Sequence, residues 1–138
     1  MQKLEQLVER TGAQTRPADA AAIEQAERQL GFALSDEYRA YLSTFGVIVH
    51  EASEVYGLGV PDDYYLNVVN AWRDLSRDPA YPARAVPLLE IGDGHYWLYD
   101  NAAQAVLHWA TPNGGVVETL AGHLEPFLVE QVFGDEAA

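Results

Sequence analysis

The chain has no cysteine. That excludes disulfide staples, a thiolate zinc site and a cysteine nucleophile. It also fits a reducing, cytoplasmic setting, the expected location. Basic residues are nearly as scarce: eight lysines and arginines face 21 acids, for a formal net charge of −13. None follows Arg84, and none lies between Arg39 and Arg73, the interval that holds Glu51, Glu54, Asp62 and Asp63. Nucleic-acid binding needs cations placed against phosphates, so direct contact with nucleic acid is not expected. Anionic membrane surfaces are disfavoured for the same reason. No apolar run approaches the roughly 20 residues that cross a bilayer. The opening MQKLEQLVER is an amphipathic helix, without the unbroken apolar stretch of a signal peptide.

Motifs that carry chemistry are missing as well. His50, His95, His108 and His123 show neither a helical H-E-x-x-H pair nor an alternating H-x-H pair. His95 and His108 can meet across neighbouring strands, with Asp93 or Asp100 nearby, but lone strand histidines are usually surface or hydrogen-bonded residues. Ser43, Ser53 and Ser76 have no G-x-S-x-G elbow around them. Gly57-Leu58-Gly59 is followed by Pro61 and Asp62 rather than a third glycine and a helix, and acids there repel a phosphate. No catalytic residue, metal ligand or cofactor is therefore expected.

What is present is pattern. The 138 residues, 49% of them apolar, suit one domain spanning 1–138 with a real core. Residues 23–46 read as two amphipathic helices joined by a short turn. Ile23, Ala26 and Leu30 recur at helical spacing, and Gly31 stands where a helix prefers to stop. Ser35 is a suitable N-cap, because its hydroxyl accepts from a free backbone N–H of the first turn. Tyr38, Tyr41, Leu42 and Phe45 form the next stripe, closed by Gly46.

These residues resemble the entry segment of the SUKH superfamily, which includes the Smi/Knr-type cell-wall regulators of yeast and many bacterial toxin-immunity proteins. Ile23, Glu27, Leu30 and Gly31 match its first helix, and Leu34, Tyr38, Tyr41, Leu42 and Gly46 its second. Ser35 stands where proline is usual and Phe45 where asparagine is usual, both structurally mild changes. The resemblance extends over about residues 19–133. It implies an α+β fold with N-terminal helices, an antiparallel β-sheet meander and a C-terminal helix packed on the sheet. It also implies a non-catalytic binding protein: an immunity protein that neutralises a toxin domain, often a nuclease, by covering its active surface. The alternative it implies is a regulatory or scaffold module of the Smi/Knr type.

Elsewhere the residues speak for themselves. Leu4, Leu7 and Val8 line a first helix ending near Thr11-Gly12, residues 13–18 make a connector, and Asp19 caps the second helix. Residues 47–50 and 55–60 are candidate strands. Asp62 or Asp63 is expected to cap a helix over 64–75, with Leu66, Val69 and Trp72 on one face. Residues 86–91, 96–99, 105–109 and 116–120 read as the meander, turned at Gly92-Asp93-Gly94, at 101–104 and at Pro112-Asn113-Gly114-Gly115. Pro126 suits the first turn of a last helix near 125–133, and 135–138 are expected to fray.

The expected interaction patch is Glu51, Glu54, Asp62, Asp63, Tyr64 and Tyr65, extended by Asp93 and Asp100 if the sheet turns lie close. Tyrosine offers large contact area with few rotors. Adjacent carboxylates suit the arginines and lysines of a basic protein partner, which the net charge would also steer. The plainer alternatives are a capped helix, one inward and one snorkelling tyrosine, and acidity that serves only solubility.

Overall fold

The structure is a computed structural model that describes residues 1–136. Three helices come first: α1 (Gln2–Thr11), α2 (Ala20–Leu30) and α3 (Asp36–Thr44). Their ends follow the local chemistry. Gly12 and Gly31 close α1 and α2 in the left-handed conformation. The Asp19 carboxylate accepts from the Ala22 amide, and the Ser35 hydroxyl accepts from the Tyr38 amide. Between α1 and α2 the expected connector holds a two-residue strand, β1 (Gln14–Thr15). It pairs antiparallel with β2 (Ile48–His50), which pairs in turn with β3 (Ser53–Val55). So short an edge strand has no periodicity to read; it exists because α1 and α3 bring its backbone to β2.

Two expectations between residues 55 and 75 are corrected. The strand placed at 55–60 ends at Val55. Beyond it the chain turns inward: the Gly57 amide donates to the Leu66 carbonyl and the Leu58 amide to the Gly46 carbonyl. The helix placed at 64–75 begins only at Val68, as α4 (Val68–Leu75). Its cap is Asn67, which accepts from the Asn70 amide, and not Asp62 or Asp63. Asn67 wins because a backbone bridge to Gly57 holds it extended just ahead of the helix, where a cap must stand.

The second half is the expected meander: β4 (Ala85–Gly92), β5 (His95–Asp100), β6 (Ala105–Ala110) and β7 (Gly115–Leu120), antiparallel and in sequence order. α5 (Leu124–Phe133) closes the fold and packs on α1. Strand alternation divides the meander's residues between two apolar clusters. Val86, Leu88, Tyr99 and Val106 join Leu7, Ile23, Leu42, Leu128 and Phe133 in the main core. Ala85, Leu98, Leu107 and Trp109 form a smaller cluster with Leu75 and Tyr81.

The helix termini are tied across the fold. α5 has no cap from its own N-cap residue, His123; its Leu124 amide donates to Glu37 Oε1 of α3 at 3.2 Å. Glu125 of α5 in turn accepts from the Leu4 amide of α1 at 3.1 Å. The C-terminal turn does not fray at Asp135 and Glu136: Glu136 is held by His50 and by Arg10, which donates to its carbonyl. Residues 137 and 138 lie outside the described residues.

Candidate interaction groove

β3 approaches β4 at one backbone contact, the Tyr56 amide donating to the Leu88 carbonyl at 2.9 Å. Past it the two chains part. β4 breaks register with β5 twice, between Pro87 and Leu89 and between Glu90 and Gly92, and such bulges bend a strand and increase its local twist. The result is a groove of about 520 Å³. Ser53 and Glu54 line one side and Glu90 and Gly92 the other, with Leu89 and Trp97 as apolar lining and Gln131 from α5. Two further concavities adjoin it. One shares Tyr56 and Tyr65 and adds Asp74 and Tyr96; the other shares Ser53 and Gln131 and adds Glu51, Glu130 and Glu136.

Each glutamate in the groove carries a tyrosine. The Tyr65 hydroxyl donates to Glu54, and the Tyr96 hydroxyl donates to Glu90 at 3.4 Å. Half-buried Tyr56 lies between them. Burial pushes its hydroxyl up to about 12, and the negative charges of Glu90, Glu54 and Asp74 push the same way. The hydrogen bond to Glu54 likewise raises Tyr65. Among the described residues, no salt bridge neutralises Glu54 or Glu90.

The groove brings together only part of the expected patch. Glu54 and Tyr65 line it, and Glu51 sits on the adjoining β2–β3 turn. Tyr64 lines a separate concavity with Arg16 and Val60, although its ring is only 4.7 Å from that of Tyr65. Asp62 and Asp63 are exposed on the loop before α4. Asp93 occupies the β4–β5 turn next to Gly92, on the groove side. Asp100 ends β5 at the opposite tip, where its carboxylate accepts from the Ala102 and Ala103 amides. Asp93 and Asp100 therefore stand at opposite ends of β5, and only Asp93 is next to a residue that lines the groove. Tyr56, Glu90, Tyr96 and Trp97 were not foreseen at the site. The one available signal was Glu90, the sole charge in an otherwise apolar strand.

Three other polar clusters lie outside the groove. His50 Nε2 lies 3.1 Å from Glu136 Oε1 and 4.0 Å from Glu51 Oε1. Their ligand atoms lie within 4.8 Å of one another, the one such grouping of three among the described residues, and exposed carboxylates commonly cluster in this way without an ion. The bond from His50 also keeps the Glu136 carboxyl below its ordinary range. His95 Nδ1 and His108 Nε2 do meet across the strands, at 2.8 Å, and among the described residues neither ring bonds to Asp93 or Asp100. Ser35, Tyr99 and Glu37 form a hydrogen-bonded chain, but the serine is spent as the α3 cap.

These features define an α+β domain whose prominent surface feature is an acidic, aromatic groove. The SUKH_5 family, described as SMI1-KNR4 cell-wall, matches residues 1–133, and the chain belongs to the SUKH family. Membership is consistent with a protein-interaction module. No curated protein matches the chain. No helix among the described residues is long and apolar enough to cross a membrane.

Proposed function

We propose that this protein is a non-catalytic, cytoplasmic binding protein of the bacterial immunity type, which neutralises a basic toxin domain by covering its active surface. One observation carries the reading: Glu54 and Glu90 stand without ion-pair partners among the described residues, in a tyrosine-lined groove of a chain of net charge −13. Solvated carboxylates at a rim speed the approach of a cationic surface, while aromatic side chains supply contact area once it docks. A nuclease domain suits this chemistry, because the cations it uses on phosphate are the ones such a face would cover.

The test is co-expression with the product of the adjacent reading frame, followed by pull-down and association kinetics at several salt concentrations. A tight complex that abolishes the partner's activity is expected. Charge reversal at Asp62 and Asp63 should slow association and flatten its salt dependence; unchanged kinetics remove those two residues from the interface. A second reading is a regulatory scaffold module, favoured by the cell-wall description of the matched family. A partner that stays active in the complex would select it.

A further inference from the structure

We propose that the groove between β3 and β4 is a receptor slot for an arginine side chain of the partner, clamped between Glu54 and Glu90 over Tyr56. This rests on the protein-binding reading above and names the chemistry of its central contact.

Three independent features converge on a guanidinium. First, the slot has carboxylates on both walls rather than one, since Glu54 comes from β3 and Glu90 from β4. A planar cation with five donors in a fixed fork can serve both walls at once, whereas an ammonium is a compact point charge. Second, the groove has aromatic lining besides its carboxylates. Tyr56 and Trp97 line the groove, and a guanidinium stacks on such faces. Third, each carboxylate is already oriented by a tyrosine hydroxyl, Tyr65 for Glu54 and Tyr96 for Glu90. Each hydroxyl occupies one acceptor direction and leaves the carboxylate's remaining lone pairs free. Among the described residues no lysine or arginine lines the groove: Arg73 and Arg77 line the adjoining concavity, and Arg77 pairs with Asp74 at 3.6 Å. The rim is also apolar where a partner surface would close over it, with Tyr65 54% and Ile91 48% exposed.

The experiment is an NMR titration of the full chain with two capped pentapeptides, Gly-Arg-Gly-Arg-Gly and Gly-Lys-Gly-Lys-Gly. The expected result is localised shifts at the Trp97 indole N–H and at amides 53–56 and 90–92. The arginine peptide should bind about tenfold more tightly, equivalent to about 1.4 kcal/mol. Glu54→Gln with Glu90→Gln should abolish those shifts while leaving the rest of the spectrum in place, which controls for folding. Equal response to both peptides, shifts spread over the whole acidic surface, or an unaltered response in the double variant overturns the slot. The same double variant separates the two levels of proposal. If it still binds the adjacent gene product as tightly as the parent does, the slot falls and the immunity reading stands. If the arginine peptide occupies the groove but that product never binds, the slot stands and the immunity reading falls.

Discussion

Glu37 holds three parts of the fold together, and removing its carboxylate should cost far more than an ordinary helix-surface substitution. Its Oε2 accepts from the Tyr99 hydroxyl of β5 at 2.5 Å, and its Oε1 from the Leu124 amide that opens α5 at 3.2 Å. The side chain is only 18% exposed, so water replaces these partners poorly. A hydrogen bond to a charged group contributes about 1.5–3 kcal/mol, and loss of a helix cap costs about 1 kcal/mol. Two effects partly offset the loss. Alanine raises helix propensity by a few tenths of a kcal/mol, and the Tyr99 hydroxyl keeps its bond to Ser35 Oγ at 2.7 Å. Glu37→Ala should therefore lower unfolding stability by about 2.5 kcal/mol, whereas Glu37→Gln, which keeps a neutral acceptor, should lose about half of that. Urea titration followed by far-UV circular dichroism measures both, and an unchanged slope would show that the denatured state is not the cause. A loss below about 0.5 kcal/mol for Glu37→Ala, or equal losses for the two variants, would refute the reasoning, because charge-assisted acceptance would then contribute nothing.

Other perturbations follow from single contacts. A Cβ at Gly57 would lie 1.5 Å from the Gly46 carbonyl oxygen, so Gly57→Ala should cost about 3 kcal/mol or more and deplete soluble expression. Gly12→Ala, with φ 73° but open space around it, should cost only about 1 kcal/mol, and a thermal-shift assay on both variants separates the two costs. Trp109 is fully buried and donates from Nε1 to the Ala80 carbonyl at 3.2 Å. Trp109→Ala should cost about 3–5 kcal/mol and Trp109→Phe clearly less, read by chemical denaturation. Burial pushes the Glu27 carboxyl up, but the Leu34 amide and Arg39 outweigh it and hold the group below its ordinary 4.5. The stability this provides is fully present above pH 4.5 and is lost as pH falls through the lower folded-state value. Glu27→Gln should accordingly flatten the acid limb of a stability-against-pH curve below pH 4.5.

Much of the fold was legible because it is dictated locally. The α2–α3 hairpin could be read from Ile23, Ala26 and Leu30, from the Gly31 stop and from the Ser35 cap, each of which acts within four residues of its own position. The β4–β7 meander was visible for the same reason: apolar alternation and strong turns lie next to each other in sequence. β1 was hidden because two residues carry no period, and it forms only against β2, over thirty positions away. The start of α4 was misplaced because Asp62 and Asp63 are good caps in isolation. The Gly57–Asn67 bridge, a tertiary contact, gives that role to Asn67.

The candidate site divides along the same line. Acidity, scarce cations and the Tyr64-Tyr65 pair are properties of composition and adjacency, and the expectation of a basic partner rests on them. Which acids face one another is a matter of distance in space. Glu54 and Glu90 stand 36 positions apart, and they line one groove because the chain meets β4 backbone to backbone at Tyr56 and Leu88, just beside both of them. Asp93 and Asp100 are near neighbours in sequence, yet a whole strand separates them. The amino-acid order alone determined the α2–α3 hairpin, the meander and the sign of the net charge, since caps, turns, strand alternation and composition are local quantities. Only the tertiary structure decided where that charge is concentrated and unneutralised, because a field depends on separations that chain connectivity does not set.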